Sequence, residues 1–207
     1  MIKNIIFDFD GVLADTFPFA VNAAREINED LRLLSTEKIT PEEFRSLDME
    51  DFVSEFKISR IKLLLFIFKY RKRLQREIEN TPTFNDLPQT LKELKSKGIK
   101  LGIVTSNQKK IVQKFLNLNK IELFDFIFST LSVFHKERPL SNSLKKFHLK
   151  KEETIYVGDE TRDIKAAKAA GLKVASVTWG YNFESKLAEY KPDYMINRPC
   201  DLLNLVE

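Results

Sequence analysis

Ile5-Ile6-Phe7-Asp8-Phe9-Asp10-Gly11 decides how the chain is read: three apolar residues run into two acids and a glycine. Such a run reads as a buried strand that stops at a polar loop. The same pattern returns further along. Leu101 to Val104 follows Gly98 and ends at Thr105-Ser106-Asn107, and Thr154 to Val157 ends at Gly158-Asp159-Glu160. Phe126 to Phe128, Val174 to Val177 and Tyr194 to Ile196 read as three further short strands. Helical spacings lie between them. Leu87, Leu91 and Leu94 recur at four and three residues with Gly98 as the stop, Ile111, Phe115 and Leu118 repeat the spacing, and the Ala-rich stretch from Asp163 halts at Gly171. Strands alternating with helices predict an α/β fold, a Rossmann-like parallel sheet core flanked by helices on both faces.

The second strand does not follow directly on the first. Residues 16–83 intervene and read as helical throughout, so they are expected to form an inserted small helical cap domain, with residues 1–15 and 84–207 as the core. Pro82 and the turn-rich stretch Asn80 to Asn85 mark the return. The insertion is segregated in charge: residues 26–55 hold ten acids and three bases, whereas residues 57–76 hold eight bases and no acid. Ile61, Leu64, Leu65 and Phe68 follow the helix spacing, and this face is expected to pack inside the cap while the bases of 57–76 pair with the acidic segment; the alternative, that some of them face the active site and recruit an anionic substrate, stays open. Phe17, Phe19 and the other aromatics of the insertion are expected to be core.

The chain has 207 residues, long enough to bury a core without a disulfide or metal staple. Its single cysteine, Cys200, excludes an internal disulfide and a Cys-rich zinc framework. The net charge of +4 (34 bases less 30 acids) is a weak basic excess and predicts no nucleic-acid partner. The longest apolar run, Leu63 to Phe68, is far below the roughly 20 residues of a membrane span. Two acids inside the first apolar stretch are foreign to a signal peptide, so the expected compartment is the cytoplasm.

All three polar clusters fall at carboxyl ends of predicted strands, the edge where open α/β sheets bind ligands. Lys136 lies between the second and third. Acids converging at one edge repel unless a cation joins them, and hard oxygen ligands suit Mg²⁺. Two carboxylates two residues apart can take different tasks, Asp8 as nucleophile toward phosphorus and Asp10 as proton donor. A phosphate dianion repels such a nucleophile, so a metal and a lysine must neutralise it while hydroxyl and backbone donors hold its oxygens. Asp8, Asp10, Ser106, Lys136 and Asp159 supply these parts, and together they imply phosphoryl transfer through an aspartyl-phosphate.

Asp8-Phe-Asp-Gly-Val-Leu-Ala-Asp-Thr16 resembles the first motif of the haloacid dehalogenase superfamily of phosphatases. Leu101-Gly-Ile-Val-Thr-Ser-Asn107 is similar to the second, Lys136-Glu-Arg-Pro139 to the third and Gly158-Asp-Glu-Thr-Arg-Asp163 to the fourth, in the right order. Glu137 stands where a proline is common. The insertion between the first two motifs resembles the helical cap of the phosphoglycolate phosphatase-like group. This resemblance implies that Asp8 attacks phosphorus and contacts Mg²⁺. Asp10 protonates the leaving oxygen, then activates water, and contacts the metal through its carbonyl. Ser106 and the Asn107 backbone N–H hold the phosphate, Lys136 steadies the charge, and Asp159 ligates the metal. Asp163 and Glu160 act from behind these ligands.

Simpler roles run beside these. Ser106-Asn107 also fits a helix N-cap, and Asp163 also fits a first-turn acid favouring the helix dipole. His135 and His148 read as structural or exposed. The predicted activity is Mg²⁺-dependent hydrolysis of a small phosphomonoester, a phosphorylated metabolite. A phosphomutase or phosphonate hydrolase uses the same parts. Dehalogenation is disfavoured because it needs no acid at Asp10. A phospho-acceptor signalling module shares the Asp, Ser/Thr and Lys set, but its length is near half of this chain and it has no cap. The sequence leaves the substrate and the oligomeric state open.

Overall fold

The computed structural model describes residues 1–31, 40–46, 59–130 and 136–206. Much of the acidic segment, with Lys57 and His135, lies outside these residues. The six strands read from the sequence all form, each within one residue of its expected ends: β1 Asn4–Phe7, β2 Lys100–Thr105, β3 Phe126–Ser129, β4 Thr154–Gly158, β5 Lys173–Val177 and β6 Tyr194–Ile196. They make one sheet in the order β3-β2-β1-β4-β5-β6, every pair parallel. Helices α1 Phe17–Leu31, α2 Pro41–Ser46, α3 Arg60–Glu77 and α4 Leu87–Ser96 lie between β1 and β2. Helix α5 Lys109–Leu118 follows β2, α6 Glu137–Lys146 precedes β4, α7 Thr161–Ala170 joins β4 to β5, and α8 Glu184–Glu189 follows β5.

Both faces of the sheet are buried, which is why its strands read as unbroken apolar runs and not as alternations. Ile5, Phe7, Ile103, Val157 and Val177 enter one apolar cluster, and Ile6, Val104, Tyr156 and Val174 enter the other. The helix stops fall where glycine permits a left-handed backbone, Gly98 at φ 80° after α4 and Gly171 at φ 74° after α7. The chain leaves and re-enters the sheet region side by side. Ala14 bridges Thr83, the Asp15 N–H donates to the Pro82 carbonyl at 2.9 Å, and the Thr83 hydroxyl donates to the Leu13 carbonyl at 2.8 Å.

One expectation for the insertion is corrected. Ile61, Leu64, Leu65 and Phe68 are exposed rather than packed. Helix α3 turns instead the face of Phe66, Ile67, Tyr70 and Leu74 inward; Phe19 and Phe66 flank the Tyr70 ring. Almost every residue from Ile61 to Phe68 is apolar, so spacing does not select a face; packing against α1 does. Among the described residues, Arg73 pairs with Glu26 across α3 and α1, as expected for basic and acidic segments that meet. His148 is exposed in the turn after α6, at φ 52°.

Phe126 stacks on Phe147 with ring centroids 3.9 Å apart, and an added Cβ at Gly102 would overlap the Phe126 ring. The ring is pinned and cannot swing aside. We expect Gly102→Ala to cost about 1–3 kcal/mol, the usual range for overpacking, read as a lower urea midpoint at unchanged m-value. A midpoint equal to the wild type would show that the ring has room to yield.

Candidate active site

The strand order reverses between β1 and β4, and the crevice beyond their carboxyl ends is the ligand position of open α/β sheets. Asp8 follows β1 and Asp159 follows β4, so the two motifs, 151 residues apart in sequence, meet there. The Asp8 N–H still donates to the Val157 carbonyl at 2.9 Å, and Gly11, at φ 70°, then turns the chain back. A side chain at Gly11 or Gly180 would overlap the Asp159 carboxylate, so both glycines are required by close approach.

Lys136 closes this centre. Its Nζ donates to Asp8 Oδ2 at 2.5 Å and to Asp163 Oδ1 at 2.7 Å, and all three side chains are nearly or fully buried. Asp163 Oδ2 accepts the backbone N–H of Asp159 and of Glu160, each at 3.1 Å, and Tyr156 donates to Oδ1 at 3.3 Å. Asp163 is thus both the first-turn acid of α7, in a capping box with Glu160, and the anchor of the lysine. Burial works to raise its pKa, but Lys136 and Arg162 together with these hydrogen bonds leave it lower than usual. Asp8 has fewer donors, and burial raises its pKa against the pull of Lys136. Burial also acts to lower Lys136, yet Asp163 and Asp8 keep it firmly charged. Arg162 donates to Glu160 Oε1 at 2.5 Å.

Asp10 sits on the other side of the loop. The Asn107 side-chain amide donates to its Oδ2 at 2.6 Å. Burial, then the Asp8 charge, raises its pKa to about 6, with the Asn107 bond working in the opposite direction. Asn107 is itself fixed: its backbone N–H donates to Thr105 Oγ1 at 3.0 Å, and Ser129 donates to its carbonyl at 2.5 Å. Ser106 lies beside it. The N-cap expected at Ser106-Asn107 is corrected, because α5 begins after Gln108, which makes no side-chain cap bond. The pair forms the turn ahead of the helix, and the Asn107 side chain goes to Asp10 instead.

The insertion reaches this centre from above. Arg71 on α3 donates to the Ser106 carbonyl at 3.2 Å. The Tyr70 hydroxyl lies 3.3 Å from that of Tyr181, which lies 3.0 Å from the Thr16 hydroxyl. The Tyr181 ring stands edge-on to Phe17 at 5.4 Å, and its backbone N–H donates to Asp159 Oδ2 at 2.7 Å. Asn182 donates to the Arg45 carbonyl on α2 at 3.0 Å and accepts the Thr161 N–H at 3.0 Å.

The sequence-predicted residues Asp8, Asp10, Asn107, Lys136, Asp159, Glu160 and Asp163 come together in one connected cluster, with Ser106 on its border. Sequence reasoning missed Thr16, Tyr70, Arg71, Arg162, Gly180, Tyr181 and Asn182. Arg162 lies inside the fourth motif, where a base among acids was a usable signal. Thr16 closes the first motif, whereas Tyr70, Arg71, Gly180, Tyr181 and Asn182 meet only through the fold, and no spacing marks them.

The chain belongs to the haloacid dehalogenase-like hydrolase family, whose model matches residues 5–177. It is accordingly an enzyme, and its similarity falls in the phosphoglycolate phosphatase-like group. It is 29% identical to a phosphoglycolate phosphatase of Synechococcus elongatus over 99% of this chain and 97% of the relative. It is 30% identical to the pyrophosphatase PpaX of Bacillus cereus over 99% of this chain and 96% of the relative. A solved haloacid dehalogenase-like family hydrolase of Streptococcus pneumoniae superposes with TM-score 0.80 at 24% identity, over 100% of this chain and 99% of that one, which bears on the fold alone. Among the described residues no helix is long and apolar enough to cross a membrane.

Residues that could hold a cation are present. Asp8, Asp159 and Asp163 each offer an oxygen within 4.8 Å of the others. Asp159 is fully buried, and its Oδ1 has no hydrogen-bond partner among the described residues. Each Asp163 oxygen already accepts two hydrogen bonds, whereas each Asp8 oxygen accepts one, so Asp8 and Asp159 fit best. An orphaned carboxylate oxygen beside a second carboxylate matches what a hard divalent cation such as Mg²⁺ requires. Burial, then the charges of Glu160, Asp163 and Asp8, raises the Asp159 pKa well above the usual carboxylate range. In metal-free buffer this carboxylate opposes folding. We therefore expect Asp159→Asn to raise the melting temperature by about 2–6 °C in the presence of chelator, on the order of 1–2 kcal/mol at this chain length. A variant melting below the wild type in chelator would contradict this charge balance.

Proposed function

We propose that the chain is a Mg²⁺-dependent phosphatase that hydrolyses a small phosphomonoester through an aspartyl-phosphate on Asp8, and that it acts in the cytoplasm. The observation that carries this reading is the division of surroundings between two acids on one loop: Asp8 is paired with Lys136 at 2.5 Å, and Asp10 is held by Asn107 at 2.6 Å. Relatives bearing the names phosphoglycolate phosphatase and pyrophosphatase agree with hydrolysis at phosphorus.

In the first half-reaction an Asp8 carboxylate oxygen forms a bond to phosphorus while the bond to the leaving oxygen breaks, and Asp10 gives that oxygen its proton. In the second, Asp10 takes a proton from water as the water oxygen bonds to phosphorus, and the acyl-phosphate bond breaks to free Asp8 and phosphate. Ser106 and the Asn107 region hold the phosphate oxygens, and Lys136 balances the charge of Asp8 and the transferring group. Asp8, Asp159 and the Asp10 carbonyl would hold Mg²⁺, which when bound supplies charge neutralisation for the incoming dianion. Glu160 and Asp163 fix Arg162 and Lys136 from behind. Residues 16–83 serve as the cap over a core of residues 1–15 and 84–207, the paired crossings near Ala14 and Thr83 being its connection. The cap selects a small phosphorylated metabolite, and Arg71 beside the Ser106 carbonyl adds positive charge at the mouth.

Three variants and a chelator test this. Asp8→Asn should abolish both turnover and phospho-enzyme. Asp10→Asn should lower kcat by about 10²–10⁴-fold and let phospho-enzyme accumulate. Lys136→Met should likewise strip activity. Acid-quench labelling and steady-state assay across a panel of phosphate esters measure all of these. Wild-type turnover by Asp10→Asn, or full activity after exhaustive chelation, would overturn the proposal.

A further inference from the structure

Tyr181 touches both halves of the molecule with different atoms. Its backbone N–H donates to Asp159 Oδ2 at 2.7 Å. Its hydroxyl lies 3.0 Å from that of Thr16, where the chain enters the insertion, and 3.3 Å from that of Tyr70 on α3. There is no slack between these contacts. A Cβ at Gly11 would lie 2.6 Å from Tyr181 Cδ2, and one at Gly180 would overlap Asp159. The neighbouring Asn182 repeats the arrangement, with its backbone N–H directed to the Asp159 carbonyl at 3.3 Å and its side chain to the Arg45 carbonyl on α2 at 3.0 Å. Trp179, two residues before Tyr181, anchors the start of this loop by donating to the Val12 carbonyl at 3.3 Å.

We infer that Tyr181 is a positioning residue that couples seating of the insertion on the core to the placement of Asp159 for Mg²⁺, through the Tyr70–Tyr181 hydroxyl pair. The inference rests on the proposed reading of Asp159 as a metal ligand. Its physical content is a rigid segment of one loop that carries a hydroxyl contact to α3 at one end and a carboxylate contact at the other. Burial raises the pKa of both tyrosines, so the pair stays neutral and each hydroxyl remains able to donate. The rings are held by other contacts, Tyr70 by Phe19 and Phe66 and Tyr181 by Phe17, so removing a hydroxyl leaves the packing in place. Coupling between two sites is reciprocal. A change on α3 that touches no carboxylate of the centre must therefore change the affinity for the cation.

The test uses the full chain with Tyr70→Phe, Tyr181→Phe and the double variant. The apparent Mg²⁺ dissociation constant is read from the rise of melting temperature with Mg²⁺ concentration, since a ligand of the folded state alone stabilises it by mass action. Loss of one hydrogen bond corresponds to about two- to twelvefold, of which the loop transmits a part. We expect each single variant to weaken Mg²⁺ binding about two- to fivefold and the double variant to match Tyr181→Phe, which already breaks the Tyr70 pair together with the contact to Thr16. An unchanged Mg²⁺ constant in Tyr70→Phe, or a double variant equal to the product of the singles, would overturn the coupling while leaving the phosphatase reading intact. A wild type that gains no stability from Mg²⁺ would overturn the metal reading and this inference with it.

Discussion

Five carboxylates, those of Asp8, Asp10, Asp159, Glu160 and Asp163, converge on a crevice that contains two side-chain cations, Lys136 and Arg162. Moving ionised groups out of water costs several kcal/mol each unless partners replace the hydration. Neighbouring groups are arranged around that cost. Lys136 is shared between Asp8 and Asp163, and Arg162 is held by Glu160. Backbone N–H groups of Phe9, Asp159, Glu160 and Tyr181 supply donors that add no like charge. The start of α7 contributes the favourable end of a helix dipole. Among the described residues, Asp159 Oδ1, Asp10 Oδ1 and Arg162 Nε are the atoms of this cluster left buried without a hydrogen-bond partner.

The same requirement shapes the backbone. Carboxylates can be brought this close only where the chain presents no side chain of its own, and Gly11 and Gly180 clear the space around Asp159. Parallel pairing of β1 with β4 sets the height of Asp8 and Asp159. The loop after β5 then closes the third side. Because that loop also meets α2 and α3, the fully buried carboxylate of Asp159 and the insertion share one support.

Much of this was legible in the sequence, for a physical reason. A parallel strand buried on both faces must be an unbroken apolar run, so all six strands could be read, and the acids and the turn residues that follow them marked the reactive edge. Lys136 is legible only through its order among the motifs, and in the structure it pairs with Asp8 and Asp163. The insertion was less legible. Its apolar stretch from Ile61 to Phe68 is too uniform for periodicity to choose a face, and the face chosen was exposed. The sequence marks Ser106-Asn107 as a helix N-cap, but the Asn107 side chain holds Asp10 instead, a contact made only by the fold. Tyr70 and Tyr181 are 111 residues apart, and a hydroxyl pair between them leaves no trace in either local pattern.

The segregated charge of the insertion acquires a geometric meaning from these contacts. A crevice with more acids than bases repels a phosphate dianion until cations compensate it, and fields inside a low-dielectric cleft are poorly screened. Helix α3 carries the basic block, and neighbouring turns of it take different partners. Arg73 meets Glu26 on α1 and so stabilises the insertion internally, whereas Arg71 turns to the Ser106 carbonyl at the mouth of the crevice. One helix therefore places one arginine in an ion pair inside the insertion and another against a backbone carbonyl of the core. Burial lowers the pKa of Arg71, a measure of how far the guanidinium has been taken out of water to stand there. In the proposed reaction that expense is justified, because a cation at the mouth acts on the dianion before Lys136 can reach it. The Arg71 contact ties the insertion to the core at the Ser106 turn, the segment that holds phosphate in the proposed reaction.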